Sequence, residues 1–195
     1  MKLIYSPLPG LKVFKPFIHQ DNRGDFVKSF HVGQLEEHDI SLEIKEEFYS
    51  SSKTRVIRGF HFQNPPHAHA KLIYCIKGHV LDVVMDIRKS SETYGRCTGI
   101  ELSDENHYII FIPVGFAHAF ASLKENSCLV YKTDAVHVPS ADDGILWSSV
   151  DFDWPFENPE LTVRDAGFTK FSNFESPFQK IKIWQFSINK LITVI

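Results

Sequence analysis

Side chains that can carry charge or move a proton are concentrated between Arg58 and Lys71. His61, His67, His69 and Lys71 are titratable, and Arg58 is a permanent cation. A solvated loop that happens to be rich in histidine is the simplest alternative, because loops tolerate such residues. The flanking residues are strand-like on both sides, so the stretch is predicted to be a functional site.

A metal centre is the first chemistry that these histidines suggest. On a strand, His67 and His69 would point to one side, and His118 could complete a three-nitrogen site. The segment 113–118 fits the Pro-x-Gly-x-x-His pattern of the second cupin motif, and the His67–His69 pair resembles the start of the first. Lys71 occupies the position where metal-binding cupins place a glutamate ligand. Its ammonium group removes a ligand and repels a cation, so no metal and no cofactor are expected.

The same side chains suit acid–base chemistry on a carbonyl compound. A histidine can abstract a proton next to a ketone if a fixed positive donor, such as Lys71, meets the enolate oxygen. Asp165 or Asp82 could orient the imidazole. A phenol such as Tyr131 could return a proton on the opposite face, which inverts the carbon centre.

Composition indicates one compact domain that binds a small molecule. The chain has 195 residues, of which 43% are hydrophobic, and a net charge of only −3. No basic block indicates a nucleic-acid partner, and no apolar run is long enough to span a membrane. Cys75, Cys97 and Cys128 lie far apart without metal-binding spacing, which favours free thiols in the cytoplasm.

The elements that must position these residues are short β-strands separated by turn signals. Strands are predicted over 11–17, 25–30, 42–50, 56–62, 71–77, 79–87, 94–102, 108–112, 117–122 and 127–133, and one short helix over 33–39. Many antiparallel strands in one domain need a closed barrel or a double sheet to hide their edges, so an all-β jelly roll is expected. Asp82 and Asp86 fall on one strand face, which is either a polar interior or a solvated exterior. A loop-rich region after Asp134 is predicted to pack over the barrel, giving a domain over 1–176 and an extension over 177–195.

A set of collinear motifs resembles the dTDP-4-dehydrorhamnose 3,5-epimerase family of metal-independent cupins. The motifs run from about Leu11 to Asp165 and include Arg58–Gln63, Ala70–Leu72, Asp86–Lys89, Thr93–Gly95, Ile112–His118, Leu129–Lys132, Gly144–Trp147 and Trp154–Pro155. The resemblance implies an isomerase of deoxysugar biosynthesis, acting without a cofactor on a nucleotide-linked 4-keto-6-deoxyhexose through an enolate. It also implies a cytoplasmic homodimer in which an N-terminal arm reaches the neighbour's site.

The resemblance further implies a role for particular residues. The family's general base falls on His61, its carboxylate partner on Asp165, its enolate-stabilising lysine on Lys71 and its tyrosine proton donor on Tyr131. Its substrate contacts fall on Arg23, Arg58, His118, Asp143 and Arg164. The arginines suit a pyrophosphate, because guanidinium groups bind phosphate oxygens well. His67 and His69 match no required family position and are interpreted as rim or loop residues.

Three departures from the family pattern leave the substrate open. Glu47-Phe48-Tyr49 stands where the family commonly has Gln-Asp-Asn, Lys28 replaces a glutamate, and Val136-His137 replaces paired tyrosines. The nucleotide, and whether C3, C5 or both are epimerised, therefore stay open. A metal-dependent cupin using His67, His69 and His118, and a non-catalytic sugar-binding module, are the alternative functions.

Overall fold

Antiparallel strands dominate the fold. The computed structural model describes residues 1–178 of the chain. The strands of this part are β1 (Lys2–Tyr5), β2 (Lys12–Lys15), β3 (Phe17–Asp21), β4 (Gly24–Lys28), β5 (Glu46–Ser52), β6 (Ile57–Gln63), β7 (Lys71–Lys77), β8 (His79–Asp86), β9 (Cys97–Ser103), β10 (Ile109–Ile112), β11 (Phe116–Ser122), β12 (Ser127–Thr133) and β13 (Asp142–Gly144). Two short helices, α1 (Val32–Glu36) and α2 (Val163–Ala166), and two single 3-10 turns, Trp147–Ser149 and Phe171–Asn173, complete it.

The strands form two facing sheets and a separate hairpin. One sheet has the order β1-β2-β10-β7-β12-β5, the other β13-β6-β11-β8-β9, and β3 pairs only with β4. Because the pairs within the two sheets are antiparallel and the chain crosses repeatedly between them, the predicted all-β jelly roll is confirmed.

Alternation along the strands explains where the core lies. On β8, Val80 and Val84 point between the sheets, whereas Val83 and Met85 point to the outer face of the second sheet. The interior is filled mainly by Ile, Leu, Val and Phe side chains of both sheets. Asp82 lies on the interior face of β8 and is fully buried, so the interior alternative for this carboxylate is the one observed.

Residues 145–178 cover the outer face of the second sheet, as predicted for the loop-rich region. Its aromatic residues, including Trp154, Phe174 and Phe178, pack on Phe60 and Phe62 of β6. The predicted extension over 177–195 lies largely outside the described residues. None of the helices within residues 1–178 has the length and apolar character needed to cross a bilayer.

Two predicted element boundaries were wrong for local reasons. The strand expected over 11–17 is broken at Pro16, which has no N–H to donate to a ladder. The strand expected from Tyr94 begins only at Cys97, because the preceding turn closes on Asp86 through the Thr93 hydroxyl, at 2.6 Å from Oδ2. The predicted helix over 33–39 is shifted to Val32–Glu36.

Candidate active site

An open cavity of about 350 Å³ lies between the two sheets. It is lined by residues of six strands and the adjoining loops: Glu46, Phe48, Ser50, Arg58, His61, Phe62, Gln63, His69, Lys71, His118, Phe120, Tyr131, Thr133, Ala135, His137 and Asp142. Aromatic rings and cationic or imidazole groups therefore share one concave surface, as expected of a site for a small organic anion.

An irregularity in β6 brings Arg58 and His61 to the same surface. In a regular strand, residues three apart point to opposite faces. Here the pairing with β11 shifts, so that His118 faces His61 and Phe120 faces Arg58. The extra residue forms a bulge around Gly59, whose φ is 112°. A Cβ there would lie 2.5 Å from the backbone oxygen of His118, so only glycine permits this close strand pairing.

His61 is held by a buried carboxylate. Its Nε2 lies 3.0 Å from Oδ1 of Asp165, whose other oxygen accepts the backbone N–H of Gly59 at 3.1 Å. Asp165 lies on α2, where the Thr162 hydroxyl accepts its N–H and fixes the start of the helix. Burial alone would raise the pKa of the Asp165 carboxyl, but the hydrogen bonds from His61 and Gly59 hold that pKa below its usual value. An ionised Asp165 accepts Nε2–H, which leaves Nδ1 of His61 as the unprotonated nitrogen.

Lys71 begins β7 with its ammonium group turned inward. The side chain is buried, and Nζ lies 3.3 Å from the carbonyl oxygen of His61. Burial lowers the pKa of Lys71 to about 8, although the carboxylates of Asp142 and Asp82 favour its charged form. The group is therefore mostly a cation at neutral pH, and its burial keeps its field from being fully screened by solvent.

Tyr131 faces the cavity from the sheet opposite His61. Its ring stacks on Phe48 at 4.7 Å between centroids and meets the His118 ring edge-on at 6.0 Å. The hydroxyl lies 3.4 Å from Oγ of Ser50. Burial raises the pKa of Tyr131, so the phenol keeps its proton at neutral pH and is available as a proton donor.

His118 forms a second, fully buried pair with Asp82. Its Nε2 lies 2.7 Å from Oδ2 of Asp82, whereas Oδ1 of that carboxylate has no hydrogen-bond partner among the described residues. Burial raises the pKa of Asp82 and lowers the pKa of His118, because each charged form is desolvated. Burial therefore disfavours a net charge on the His118–Asp82 pair.

Arg58 presents a cation to the end of the cavity near Phe120. Its Nε donates to Oγ of Ser52 at 3.0 Å and its Nη2 to the carbonyl of Ser51 at 3.3 Å. Within residues 1–178 it makes no salt bridge to a carboxylate. The guanidinium is thus held in place by neutral groups and can bind an anion.

Besides Asp165, which contacts His61 from outside the lining, three predicted site residues do not line the cavity. Arg23 lies on the exposed turn between β3 and β4 and pairs with Asp21 at 2.6 Å. Asp143 is exposed, whereas its neighbour Asp142 lines the cavity. Arg164 pairs with Asp142 at 2.7 Å and so lies behind the cavity wall.

The lining residues that the sequence reasoning did not assign to the site include Phe48, His69, His137 and Asp142. The interpretation of His67 as a rim residue agrees with its exposed side chain, but His69 lines the cavity. The two-residue spacing from His69 to Lys71 was a usable signal, because it places both on one face. His137 lies 3.1 Å from Asp142, a contact made across a loop that no sequence pattern indicates.

The residues of the metal hypothesis are not brought together. His67 is exposed, Nδ1 of His69 lies 2.9 Å from Nε2 of Gln63, and His118 is bound to Asp82. Within residues 1–178, no three His, Cys, Asp or Glu side chains are grouped as metal ligands.

The chain is similar to known proteins over most of its length. A family model described as dTDP-4-dehydrorhamnose 3,5-epimerase matches residues 5–173. The chain is 40% identical to the Shigella flexneri dTDP-4-dehydrorhamnose 3,5-epimerase over 174 residues, which are 88% of this chain and 96% of the relative. The fold is similar to that of the Legionella pneumophila dTDP-6-deoxy-D-glucose-3,5-epimerase in complex with dTDP-4-keto-L-rhamnose, with a TM-score of 0.85, 32% identity and coverage of 89% and 94% of the two chains. It is also similar to the Bacillus anthracis dTDP-4-dehydrorhamnose 3,5-epimerase with TDP and PPi bound, with a TM-score of 0.83, 33% identity and coverage of 86% and 97%.

Proposed function

Because the chain belongs to the dTDP-4-dehydrorhamnose 3,5-epimerase family, we propose that it epimerises both C3 and C5 of a dTDP-linked 4-keto-6-deoxyhexose. It is an isomerase of nucleotide-linked sugars in deoxysugar biosynthesis. The observation that carries the finer assignment is the placement of His61, oriented by Asp165, on one sheet, with Lys71 and Tyr131 on the facing sheet and Nζ of Lys71 reaching to 3.3 Å from the His61 carbonyl.

In the proposed reaction, Nδ1 of His61 removes the proton from the carbon next to the C4 ketone. The imidazolium that forms is stabilised by Asp165, and Lys71 donates to the oxygen that becomes the enolate. Tyr131 then returns a proton to the same carbon from the other side of the ring. The positions of His61 and Tyr131 on opposing sheets support this inversion, because a flat enolate between them meets one group on each face.

The phosphates are proposed to bind at Arg58. The cation lies at the other end of β6 from Gln63, so a diphosphate there directs the sugar toward His61. Of the Glu47-Phe48-Tyr49 departure, only Phe48 faces the cavity, while Glu47 pairs with Lys132 on the other face. Of these three residues, the departure from the family pattern therefore alters the cavity lining only at Phe48, which contributes an aromatic ring.

Proton exchange in heavy water tests the proposal. dTDP-4-keto-6-deoxyglucose incubated with the protein in D₂O is expected to gain deuterium at both C3 and C5, followed by NMR. The matching CDP- and GDP-linked sugars test the nucleotide. Exchange at a single carbon would contradict double epimerisation. Binding of a nucleotide sugar without any exchange would favour the non-catalytic module, and His61→Ala should remove exchange altogether.

We also propose a homodimer that completes the site. Arg23 lies on the hairpin of β3 and β4, with Phe17 and Phe26 exposed beside it. This hairpin could reach the cavity of a second copy, where Arg23 would meet the phosphates. Analytical ultracentrifugation gives the mass, and mixing Arg23→Ala with His61→Ala protein should restore activity, because one site of each mixed dimer is then intact. Failure of the mixture would refute the shared site.

The cytoplasm is the compartment that we propose, because Cys75, Cys97 and Cys128 are free thiols and a reducing compartment keeps them so. Fractionation of cells that express the full chain would test this. The division into a domain over 1–176 and an extension over 177–195 stays a prediction.

A further inference from the structure

His69 belongs to the cavity although the proposed reaction does not use it. It lies two residues before Lys71, its ring is partly buried, and it lines the same wall as that lysine. His67, two residues earlier, has an exposed side chain and does not line the cavity. The two histidines that looked equivalent in the sequence therefore have different surroundings.

Gln63 fixes which nitrogen of His69 carries the proton. The backbone N–H of Val138 donates to Oε1 of Gln63 at 2.5 Å, so the other end of the amide is the NH₂ group. That group donates to the carbonyls of His67 and Val136 at 2.8 and 3.2 Å and lies 2.9 Å from Nδ1 of His69. Its two hydrogens are shared among these three acceptors. Because an NH₂ group cannot accept, a protonated Nδ1 at 2.9 Å would face a donor, so the proton of the neutral ring is assigned to Nε2.

The charges around His69 keep the ring neutral. Burial is the main cause that lowers its pKa to about 3, and the ammonium group of Lys71 adds to this effect. A hydrogen bond with the backbone of His67 and the charge of Asp142 raise the pKa but do not outweigh burial, and His137 lowers it further. The amide of Gln63 opposes protonation as well, because a protonated Nδ1 would face a donor. Near neutral pH the ring thus offers the cavity a neutral N–H.

The direction of β6 indicates which part of the substrate meets this donor. Arg58 and Gln63 lie at opposite ends of the strand, with His61 between them. If the phosphate on C1 binds at Arg58 and the reacting carbons lie at His61, the far side of the six-membered ring points toward Gln63. C4 lies opposite C1 in such a ring, so its oxygen reaches the end of the cavity where His69 and Lys71 are.

We infer that His69 donates Nε2–H to the C4 oxygen of the sugar, as a second, neutral partner to Lys71 for the enolate. The inference rests on the proposed function and adds a residue to it. A neutral imidazole can polarise a carbonyl in this way without competing for the proton that the base removes. Because the oxygen gains negative charge only in the transition state, the donor should act on kcat rather than on KM.

Three variants test the role in catalysis. His69→Leu removes the donor, and we expect a loss of kcat on the order of 100-fold, with KM little changed. His69→Gln can accept from Gln63 and still donate an N–H, so it should recover most of that loss. His67→Leu is the matched control in the same loop and should behave as the unaltered protein. A loss of kcat below about threefold for His69→Leu, a change confined to KM, or an equally slow His69→Gln protein would overturn the inference.

The ¹⁵N NMR spectrum of the imidazole nitrogens tests the proposed tautomer of His69 without any substrate. In protein labelled with ¹⁵N-histidine, His69 should show the Nε2–H tautomer and stay neutral down to about pH 5. A cationic ring or an Nδ1–H tautomer at pH 6 would overturn it. This measurement separates the two proposals: absence of exchange with every 4-keto sugar would sink the proposed function, while the tautomer would still report on Gln63 and His69.

Discussion

Replacing Asp165 by asparagine should reverse the hydrogen bond that orients His61, the proposed catalytic base. In the structure, one carboxylate oxygen accepts the N–H of Gly59 and the other faces Nε2 of His61. An asparagine has one oxygen and one NH₂ group. Gly59 can only donate, so the oxygen must stay with it and the NH₂ group must face His61. The imidazole then has to accept at Nε2 and carry its proton on Nδ1, the nitrogen proposed to act as the base.

The expected loss is large in rate and small in stability. A base held in the wrong tautomer, without a negative charge to stabilise its cation, costs about 10⁴-fold in rate, as for the aspartate of a catalytic triad. This factor corresponds to about 5 kcal/mol in the barrier. The folded state keeps the bond to Gly59 and exchanges the bond to His61 for one of reversed polarity. We therefore expect Asp165→Asn to lose less than about 2 kcal/mol of stability.

Deuterium exchange at C3 and C5, measured by NMR at saturating substrate, gives the rate, and thermal unfolding gives the stability. Asp153→Asn is the control, because Asp153 is exposed on the same C-terminal segment and does not line the cavity. An Asp165→Asn protein that is folded and exchanges within tenfold of the unaltered protein would refute the assignment of His61 and Asp165 as a working pair.

Other expectations concern Lys71, Tyr131 and Gly59. Burial lowers the pKa of Lys71 to about 8, so its cation is lost as the pH rises through that value and kcat should fall there. Lys71→Arg should move this fall in kcat to higher pH. If the fall stays at the same pH, a group other than Lys71 causes it. Tyr131→Phe should still exchange deuterium while net epimerisation falls about 100-fold. An equal loss of exchange and epimerisation would contradict the assignment of Tyr131 as the proton donor on the opposite face. Gly59→Ala should lower the melting temperature more than Gly24→Ala. Both glycines have a positive φ, but only at Gly59 would a Cβ meet the backbone of His118. Equal effects of the two substitutions would show that the close approach of the bulge to His118 does not require glycine.

The fold was largely predictable because its signals are local. Alternation of polar and apolar residues located most strands, and residues 21–24 and 77–79, where turn-forming residues stand in the sequence, connect strands in the structure. Pro16 could have been recognised as a break in the first predicted strand, since proline removes a ladder donor. The four-residue helix α2 carries too short a pattern to be found from periodicity.

The site was less predictable because its geometry depends on contacts between distant segments. The residue spacing of Arg58 and His61 would place them on opposite faces, and only the bulge at Gly59 brings them together. The state of His69 depends on Gln63 and, through it, on a backbone N–H at Val138. No sequence pattern predicts the bulge at Gly59 or the hydrogen bonds of Gln63, although the residues themselves can be read in the sequence.

The His61–Asp165 and His118–Asp82 pairs have different surroundings, which give them different roles. In the His61–Asp165 pair both carboxylate oxygens are hydrogen-bonded and 30% of the imidazole side chain is exposed, so a proton gained by the ring can be stabilised. In the His118–Asp82 pair both side chains are buried and one oxygen of Asp82 has no partner within residues 1–178, so an added charge would be desolvated. The proton removed from the sugar is therefore expected on His61, while His118 stays neutral. His118→Asn should retain slow deuterium exchange and His61→Asn should lose it, and the reverse order would move the base to His118.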